Sequence, residues 1–175
     1  SRAEDISGAF FGLLEDSGVD SNKSVELSTK FLDYLGNGYY SLSSPVWANF
    51  GRERGLPISC NNSYIPDSVE GMAHKRAEIA MMTKHGAGTS AWLGDIRPRG
   101  ASISAGGYAD GVRLPALEIE SCIDNISQGN VRRGNAAIYY PIDGPDIEEF
   151  LNFREEGSPI QKTSLGVDIP DYWME

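Results

Sequence analysis

Apolar residues recur at helical spacing in the first part of the chain. Residues 5–15 carry apolar side chains about three or four positions apart, which predicts an amphipathic helix. A second helix is predicted to begin at the polar pair Asp20-Ser21 and to end at Gly36-Asn37-Gly38. Residues 39–57 mix Ser, Pro, Gly and Arg, and we expect a loop there.

Beyond residue 57, short apolar runs alternate with helical patterns. Ile58–Asn62 is short enough for a buried strand. Asp67 and Glu70 have the spacing of a capping box and predict the start of a helix, which Gly86 ends. Alternation of this kind predicts an α/β fold with a mainly parallel sheet. The later predicted elements are a helix from Leu114, a strand at Ala136–Tyr140, a helix from Gly144 and a strand at Leu165–Ile169.

The acidic composition argues against several classes of protein. A formal net charge of -10 disfavours binding to nucleic acid or to an acidic membrane, because both favour a basic surface. No apolar run is long enough to span a membrane, and the first residues lack a signal-peptide pattern. We therefore expect a cytoplasmic protein with reduced thiols. The two cysteines and two histidines lack the spacing of a zinc site, so no bound metal is expected.

Arginines cluster in a stretch that is also rich in glycine. Glycine lets the backbone bend sharply and approach a ligand, so one interpretation of this stretch is a phosphate-binding site. A solvated surface is the other, and the residues alone leave both open. The sequence contains neither a P-loop pattern nor GxGxxG. A generic phosphate-binding α/β protein is therefore the least favoured of the functions considered for this chain. The arginines concerned are Arg97, Arg99, Arg113, Arg132 and Arg133.

Seven short motifs lie in order between residue 43 and the end of the sequence. They are Ser43-Ser44-Pro45, Ile58-Ser59-Cys60, Asp67-Ser68, Gly86–Ser90, Ile96–Gly100, Ser127–Gly134 and Asp171–Met174. In this order and at this spacing, they resemble the large, catalytic subunit of ribonucleotide reductases. The resemblance implies that residues 43–175 form the first half of a ten-stranded α/β barrel, preceded by a short helical lead-in at residues 1–42.

The resemblance implies a redox role for Cys60 and a substrate cradle around it. In the family, the cysteine at this position lies beneath the substrate ribose and is oxidised to a disulfide as the 2′-hydroxyl leaves as water. A lone cysteine is ordinarily a small, buried, apolar residue. Within the surrounding motif, the redox role of Cys60 is favoured instead. Ser44 and Ser59 match substrate-binding positions, and Ala87 and Gly88 match positions where backbone lies against the nucleotide.

The resemblance also implies an allosteric site for a deoxynucleoside triphosphate at a homodimer interface. Asp67 matches an acidic residue that contacts the effector, and Arg97 matches an arginine that contacts its phosphates. A second arginine of some relatives aligns with Ser104, so Arg99 or Arg113 is the alternative phosphate ligand. Two loops flank the site in the family, and they match residues 96–107 and 127–135. The effector-binding residues expected from the resemblance are Asp67, Arg97, Arg99, Gln128 and Arg132.

The thiyl-radical cysteine of the family, in an Asn-x-Cys-x-Glu pattern, does not occur in these 175 residues. The partner of Cys60 in the disulfide is also missing. We therefore expect a piece of a split or truncated catalytic subunit that is inactive alone and needs a complementary C-terminal fragment. The alternative is a catalytically inactive nucleotide-binding module that retains only the allosteric site.

We expect no cofactor bound by this segment itself. The complete enzyme needs a dithiol reductant and a radical source, which is a metal-bearing small subunit in class I or adenosylcobalamin in class II. Class I is favoured. The favoured substrate is a ribonucleoside diphosphate, and no nucleic acid or membrane partner is expected.

Overall fold

A computed structural model describes residues 1–53, 55–128 and 132–175, and only the backbone at residues 127–128 and 132–133. The chain divides into two compact units, Ser1–Ser59 and Cys60–Glu175. Each unit has its own arrangement of elements.

The first unit is helical. Helix α1 begins after Ser1, which forms a capping box with Glu4, and α2 begins after Asp20, whose carboxylate accepts two backbone N–H groups. Phe10 of α1 packs against Phe31 of α2 with ring centroids 5.1 Å apart. Both helices confirm the spacing prediction. The helices are α1 (Arg2–Asp16), α2 (Ser21–Gly36) and α3 (Ser44–Asn49).

Helix α3 corrects the prediction of a loop throughout residues 39–57. Pro45 lies in its first turn. A backbone N–H in the first turn has no acceptor within the helix, so proline loses no hydrogen bond there, and its fixed φ favours the helix. The proline read as a loop signal is therefore an N-terminal helix residue.

The second unit is a parallel α/β structure, as the sequence predicts. Its four-stranded sheet has the order β1-β2-β5-β6, and every neighbouring pair is parallel. Two short strands, β3 and β4, pair antiparallel in a separate hairpin. The strands are β1 (Cys60–Tyr64), β2 (Gly88–Trp92), β3 (Ser127–Gln128), β4 (Arg132–Arg133), β5 (Ala136–Pro141) and β6 (Ser164–Asp168).

Helices cover one face of this sheet. The core lies between that face and the helices, and alternate residues of β5, namely Ala136, Ile138 and Tyr140, are buried in it. The predicted helices near Leu114 and Gly144 are confirmed. The helices are α4 (Val69–Lys84), α5 (Arg113–Asn125) and α6 (Ile147–Leu151).

Two local predictions in this unit were wrong. Strand β1 begins at Cys60, and its residues alternate between exposed and half-buried, so it is not the buried strand expected at Ile58–Asn62. Its sequence is polar, which explains why an apolar run placed it two residues early. The N-cap of α4 is Ser68, whose hydroxyl accepts the Gly71 N–H at 3.0 Å, so Asp67 and Glu70 do not form the predicted capping box.

A buried carboxylate fixes the chain ahead of β6. Glu120 of α5 is 7% exposed and accepts hydrogen bonds from the backbone N–H groups of Gln161, Lys162 and Thr163 and from the Thr163 hydroxyl. Burial alone would raise the pKa of Glu120, but these donors together hold it below its ordinary value. The last strand is therefore positioned by a helix carboxylate.

Candidate functional site

Cys60 stands at the start of β1, directly beside the start of β2. It is exposed, and in the parallel register it lies opposite Gly88. The preceding Ala87 is 2% exposed, and Gly86 has a φ of 94°, which permits the turn from α4 into β2. Gly88 has no side chain, so it places only backbone beside Cys60 in the register. The structure thus brings together three of the residues predicted for catalysis and substrate binding.

A polar pair lies beyond Cys60 on the same face of the sheet. Asn62 and Ser90 are opposite each other in register, and the Ser90 hydroxyl donates to Asn62 Oδ1 at 2.6 Å. Successive side chains of a strand alternate in direction, so Cys60 and Asn62 share a face. Sequence reasoning missed this pair, because Asn62 belongs to none of the motifs and the Gly86–Ser90 motif suggested no role for the Ser90 side chain.

A helix carboxylate holds the opposite side of β1. Glu78 of α4 accepts hydrogen bonds from Asn61 Nδ2 at 3.2 Å, the Ser63 hydroxyl at 2.9 Å and Lys75 Nζ at 3.0 Å. The hydrogen bond from Lys75 is the main cause that lowers the pKa of Glu78. Asn61 and Ser63 alternate with Cys60 and Asn62, so these bonds direct Cys60 to the face away from α4.

The two predicted substrate-binding serines belong to the first unit. Ser44 is the first residue of α3 and is exposed, and Ser59 immediately precedes β1 and is half-buried. Their role in substrate binding stays a prediction.

A cleft of about 470 Å³ lies between the start of α4, the segment that follows β2 and the start of α5. It contains both residues predicted as the centre of the effector site. Arg97 Nε donates to Asp67 Oδ2 at 2.6 Å, with the side chains 39% and 26% exposed. The rest of the cleft lining is mixed apolar and polar and includes Val69, Met72, Ile103, Ser104, Tyr108 and Asp110.

The other predicted effector residues either lie outside the lining of the cleft or have side chains that the structure does not describe. Arg99 donates to Glu149 of α6 through Nε at 3.0 Å and Nη2 at 2.6 Å, and Arg113 lies 3.8 Å from the same carboxylate. These two guanidinium groups therefore face acidic partners. Gln128 and Arg132 face each other in the β3–β4 hairpin, but their side chains, and residues 129–131 of the predicted loop, lie outside the described residues.

The second cysteine, unlike the exposed Cys60, is buried. Cys122 is 4% exposed on α5, and burial raises the pKa of its thiol. Within the part of the chain that the structure describes, no group of three or more His, Cys, Asp or Glu side chains could hold a metal ion. None of the described helices is long and apolar enough to cross a membrane.

Comparison with known proteins identifies the family. The family described as "Ribonucleotide reductase, barrel domain" matches residues 58–175. A putative ribonucleoside-diphosphate reductase large subunit of Frog virus 3 is 31% identical over 172 residues, covering 95% of this chain and 29% of that protein. The ribonucleoside-diphosphate reductase subunit alpha of Bacillus subtilis is 27% identical over 165 residues, covering 89% of this chain and 23% of that protein.

A solved structure agrees. The Actinobacillus ureae class Id ribonucleotide reductase alpha subunit matches with a TM-score of 0.81 and 41% identity, over 98% of this chain and 30% of that chain. The four parallel strands fit the first half of an α/β barrel. The chain belongs to the ribonucleotide reductase family, within the barrel of the large subunit. It spans between 23% and 30% of the length of these three relatives.

Proposed function

We propose that this chain forms the first part of a catalytic barrel that reduces ribonucleoside diphosphates to deoxyribonucleoside diphosphates. Family membership supports the reaction, and the relatives from Frog virus 3 and Bacillus subtilis are named as diphosphate reductases. The single observation that carries the proposal is the exposed Cys60 thiol, in register with the side-chain-free Gly88 at the start of the next strand.

In this proposal, Cys60 is one of two thiols that reduce the substrate. The ribose loses its 2′-hydroxyl as water and gains a hydrogen at C2′, while two thiols lose two electrons and two protons and form a disulfide. The second thiol and the cysteine that abstracts the 3′-hydrogen lie outside these residues, because the only other cysteine is the buried Cys122. The rest of the barrel must supply them.

Backbone near Cys60 is the proposed substrate cradle. Ala87 and Gly88 place amide groups at the start of β2, and the hydroxyls of Ser44 and Ser59 are suitable donors to phosphate oxygens. We propose that these four residues contact the nucleotide in the complete barrel.

The cleft with Asp67 and Arg97 is the proposed allosteric effector site. A guanidinium group suits a triphosphate, and a carboxylate suits ribose hydroxyls and base amino groups. The mixed apolar and polar lining provides a surface for the base. We propose that Arg99, Gln128 and Arg132 act beside this cleft and that a second copy of the subunit packs there.

The complete enzyme requires a radical source, which we place on a metal-bearing small subunit of class I. The solved structure with 41% identity is titled as a class Id alpha subunit, which supports this choice over adenosylcobalamin. A dithiol reductant returns the disulfide to two thiols after each turnover. We propose a cytoplasmic location, where such reductants are present.

The test is reconstitution. This chain is combined with a polypeptide that carries the remaining barrel and the Asn-x-Cys-x-Glu cysteine, and with the radical-generating subunit. Deoxyribonucleoside diphosphate formation is then measured for the unchanged chain, for Cys60→Ala and, as a matched control, for Cys122→Ala. We expect turnover in the unchanged chain and the control and none in Cys60→Ala. Normal turnover by Cys60→Ala would refute the redox role.

The same experiment separates the alternative function. The effector cleft lies entirely within residues 67–114, so the chain could bind a nucleotide without supporting reduction. Binding of a deoxynucleoside triphosphate with no turnover in any reconstituted complex would favour a nucleotide-binding module over an enzyme.

A further inference from the structure

One wall of the effector cleft is a long segment whose two ends meet at a single buried carboxylate. Asp146 is 8% exposed. Both of its oxygens accept the backbone N–H of Arg99 at 3.1 Å, and Oδ2 also accepts the backbone N–H of Val112 at 3.3 Å. The residues between these two donors supply much of the cleft lining, including Ile103, Ser104, Ala105, Tyr108, Ala109 and Asp110.

The closure at Asp146 is tight. Gly111 has a φ of 67°, and a Cβ at this position would lie 2.3 Å from Asp146 Oδ2 and 2.8 Å from the Arg99 nitrogen. Glycine is required both by the left-handed backbone and by the lack of space. The segment therefore leads into α5 at a position, Gly111, where only a glycine fits against the Asp146 carboxylate.

A second carboxylate on α6 reinforces the same junction. The Glu149 side chain accepts two hydrogen bonds from the Arg99 guanidinium, at 3.0 Å and 2.6 Å. Asp146 thus holds the Arg99 backbone while Glu149 holds its side chain. Both the backbone and the side chain of Arg99, the first residue of the segment, are therefore fixed.

The anchoring carboxylate is itself firmly placed. The backbone N–H of Asp146 donates to the Tyr140 hydroxyl at 3.2 Å, and Tyr140 is 1% exposed in β5. Gly144 lets the preceding turn close over this ring, since a Cβ there would lie 2.3 Å from the ring carbon Cε1. The Tyr140 ring also packs against Phe150, with centroids 5.5 Å apart. Asp146 is therefore held by the sheet core.

We propose that Asp146 is a positioning residue that sets the affinity of the cleft for a nucleoside triphosphate, by holding the two ends of residues 99–112 together. This inference rests on the proposed effector role of the cleft. A charged acceptor of backbone N–H groups is a strong anchor in a buried place. Without it, the two ends are joined by the backbone hydrogen bonds that link Ala109 to Gly100 and Ala101, so more of the segment must be ordered when the nucleotide binds. That entropic cost lowers affinity.

The test compares Asp146→Ala and Asp146→Asn with Glu148→Gln in the reconstituted catalytic subunit. Glu148 is an exposed carboxylate on the same helix, so its variant makes the same change in net charge. Dissociation constants for dTTP and dATP are measured. We expect weakening of about tenfold in Asp146→Ala, the effect of one charged hydrogen-bond anchor. Asp146→Asn keeps one acceptor oxygen and should be intermediate, and Glu148→Gln should bind as the unchanged protein does.

A second readout needs no nucleotide. Amide hydrogen exchange is measured at Arg99 and Val112, with the amides of the β2–β5 ladder as the internal standard. We expect faster exchange at these two amides in Asp146→Ala and an unchanged ladder. A general loss of stability would instead accelerate exchange in the ladder as well, and that pattern would contradict local anchoring.

The outcomes separate this inference from the proposed function. If the unchanged protein binds dTTP or dATP but Asp146→Ala binds it equally well, the positioning role is overturned and the effector site stands. If the unchanged protein binds neither nucleotide, the effector site and the affinity role both fall, whatever the exchange result. Unchanged exchange at Arg99 and Val112 would overturn the anchor itself.

Discussion

Arg97 Nε lies 2.6 Å from Asp67 Oδ2, so the two central residues of the proposed effector cleft are hydrogen-bonded partners. They come from opposite sides of the cleft: Asp67 precedes α4, and Arg97 follows β2. A triphosphate that binds Arg97 must share or replace the Asp67 carboxylate. In the proposed effector role, this pair would link occupancy of the cleft to α4, the helix whose Glu78 holds the strand of Cys60.

Removal of the Arg97 charge should weaken effector binding with little effect on folding. We expect Arg97→Gln to raise the dissociation constants for deoxynucleoside triphosphates by about tenfold or more, because charge-assisted hydrogen bonds to phosphate are lost. The free energy of unfolding should change by less than about 1 kcal/mol, since the ion pair is partly exposed. Lys84→Gln, at the far end of α4, is the charge-matched control. Equal affinities of Arg97→Gln and the control would remove Arg97 from the site.

Gly111→Ala should damage the cleft wall more than the same change at Gly100. Both glycines have a positive φ, of 67° and 83°, so both variants bear a similar backbone cost of about 1 kcal/mol. Only at Gly111 does the added Cβ meet Asp146 and the Arg99 backbone, whereas Gly100 has open space. Thermal unfolding and nucleotide binding should show a clearly larger loss in Gly111→Ala. Equal losses would mean that the contact with Asp146 is unimportant.

Local patterns in the sequence predicted most helices and the parallel sheet, because helical spacing and strand–helix alternation are visible over short windows. The helix at Ser44–Asn49 was missed because Pro45 and the two serines before it resemble a loop. Strand β1 was misplaced because Asn61, Asn62 and Ser63 give it no apolar alternation. Its place in the sheet is supported by tertiary hydrogen bonds to Glu78, which no window of the sequence reveals.

The candidate effector site likewise combines residues that the sequence predicted with residues that it did not. Motif resemblance selected Asp67 and Arg97, and the structure brings them together. The carboxylates of Asp146 and Glu149 were not foreseen, because each lies about 50 positions from its partner Arg99 and belongs to no motif. Such long-range anchors depend on the fold, and only coordinates reveal them.

Glu120→Gln should destabilise the protein in a pH-dependent way. The pKa of Glu120 is lowered in the folded state, so its stabilisation is fully present above the unfolded value, near 4.5, and is lost as the pH falls through the lower folded value. At pH 7 we expect a loss of about 2 kcal/mol in the free energy of unfolding, because buried N–H donors lose a charged acceptor. Urea unfolding of the variant and of the control Glu118→Gln checks this. A Glu120→Gln deficit that does not shrink in acid would contradict the assignment.

The Lys75–Glu78 pair should behave asymmetrically under substitution. Lys75 is 4% exposed and donates to Glu78, so Glu78→Ala leaves a buried ammonium group and two β1 donors without this acceptor. We expect a loss of about 2 kcal/mol for Glu78→Ala and less than about 1 kcal/mol for Lys75→Met, which removes the charge that needs compensation. The double variant should lose less than the sum of the two losses. Strict additivity in urea unfolding would show that the two side chains are not coupled.

We propose that Cys60 is oxidised as the substrate is reduced. The most direct test of this proposal is a single-turnover reaction of the reconstituted enzyme without dithiol reductant, followed by alkylation under denaturing conditions and mass spectrometry of both cysteines. We expect product to form in a stoichiometric amount and Cys60 to be recovered in a disulfide in equal amount, while the buried Cys122 is recovered as the alkylated thiol. Product formation with Cys60 recovered entirely as a thiol would contradict the proposal.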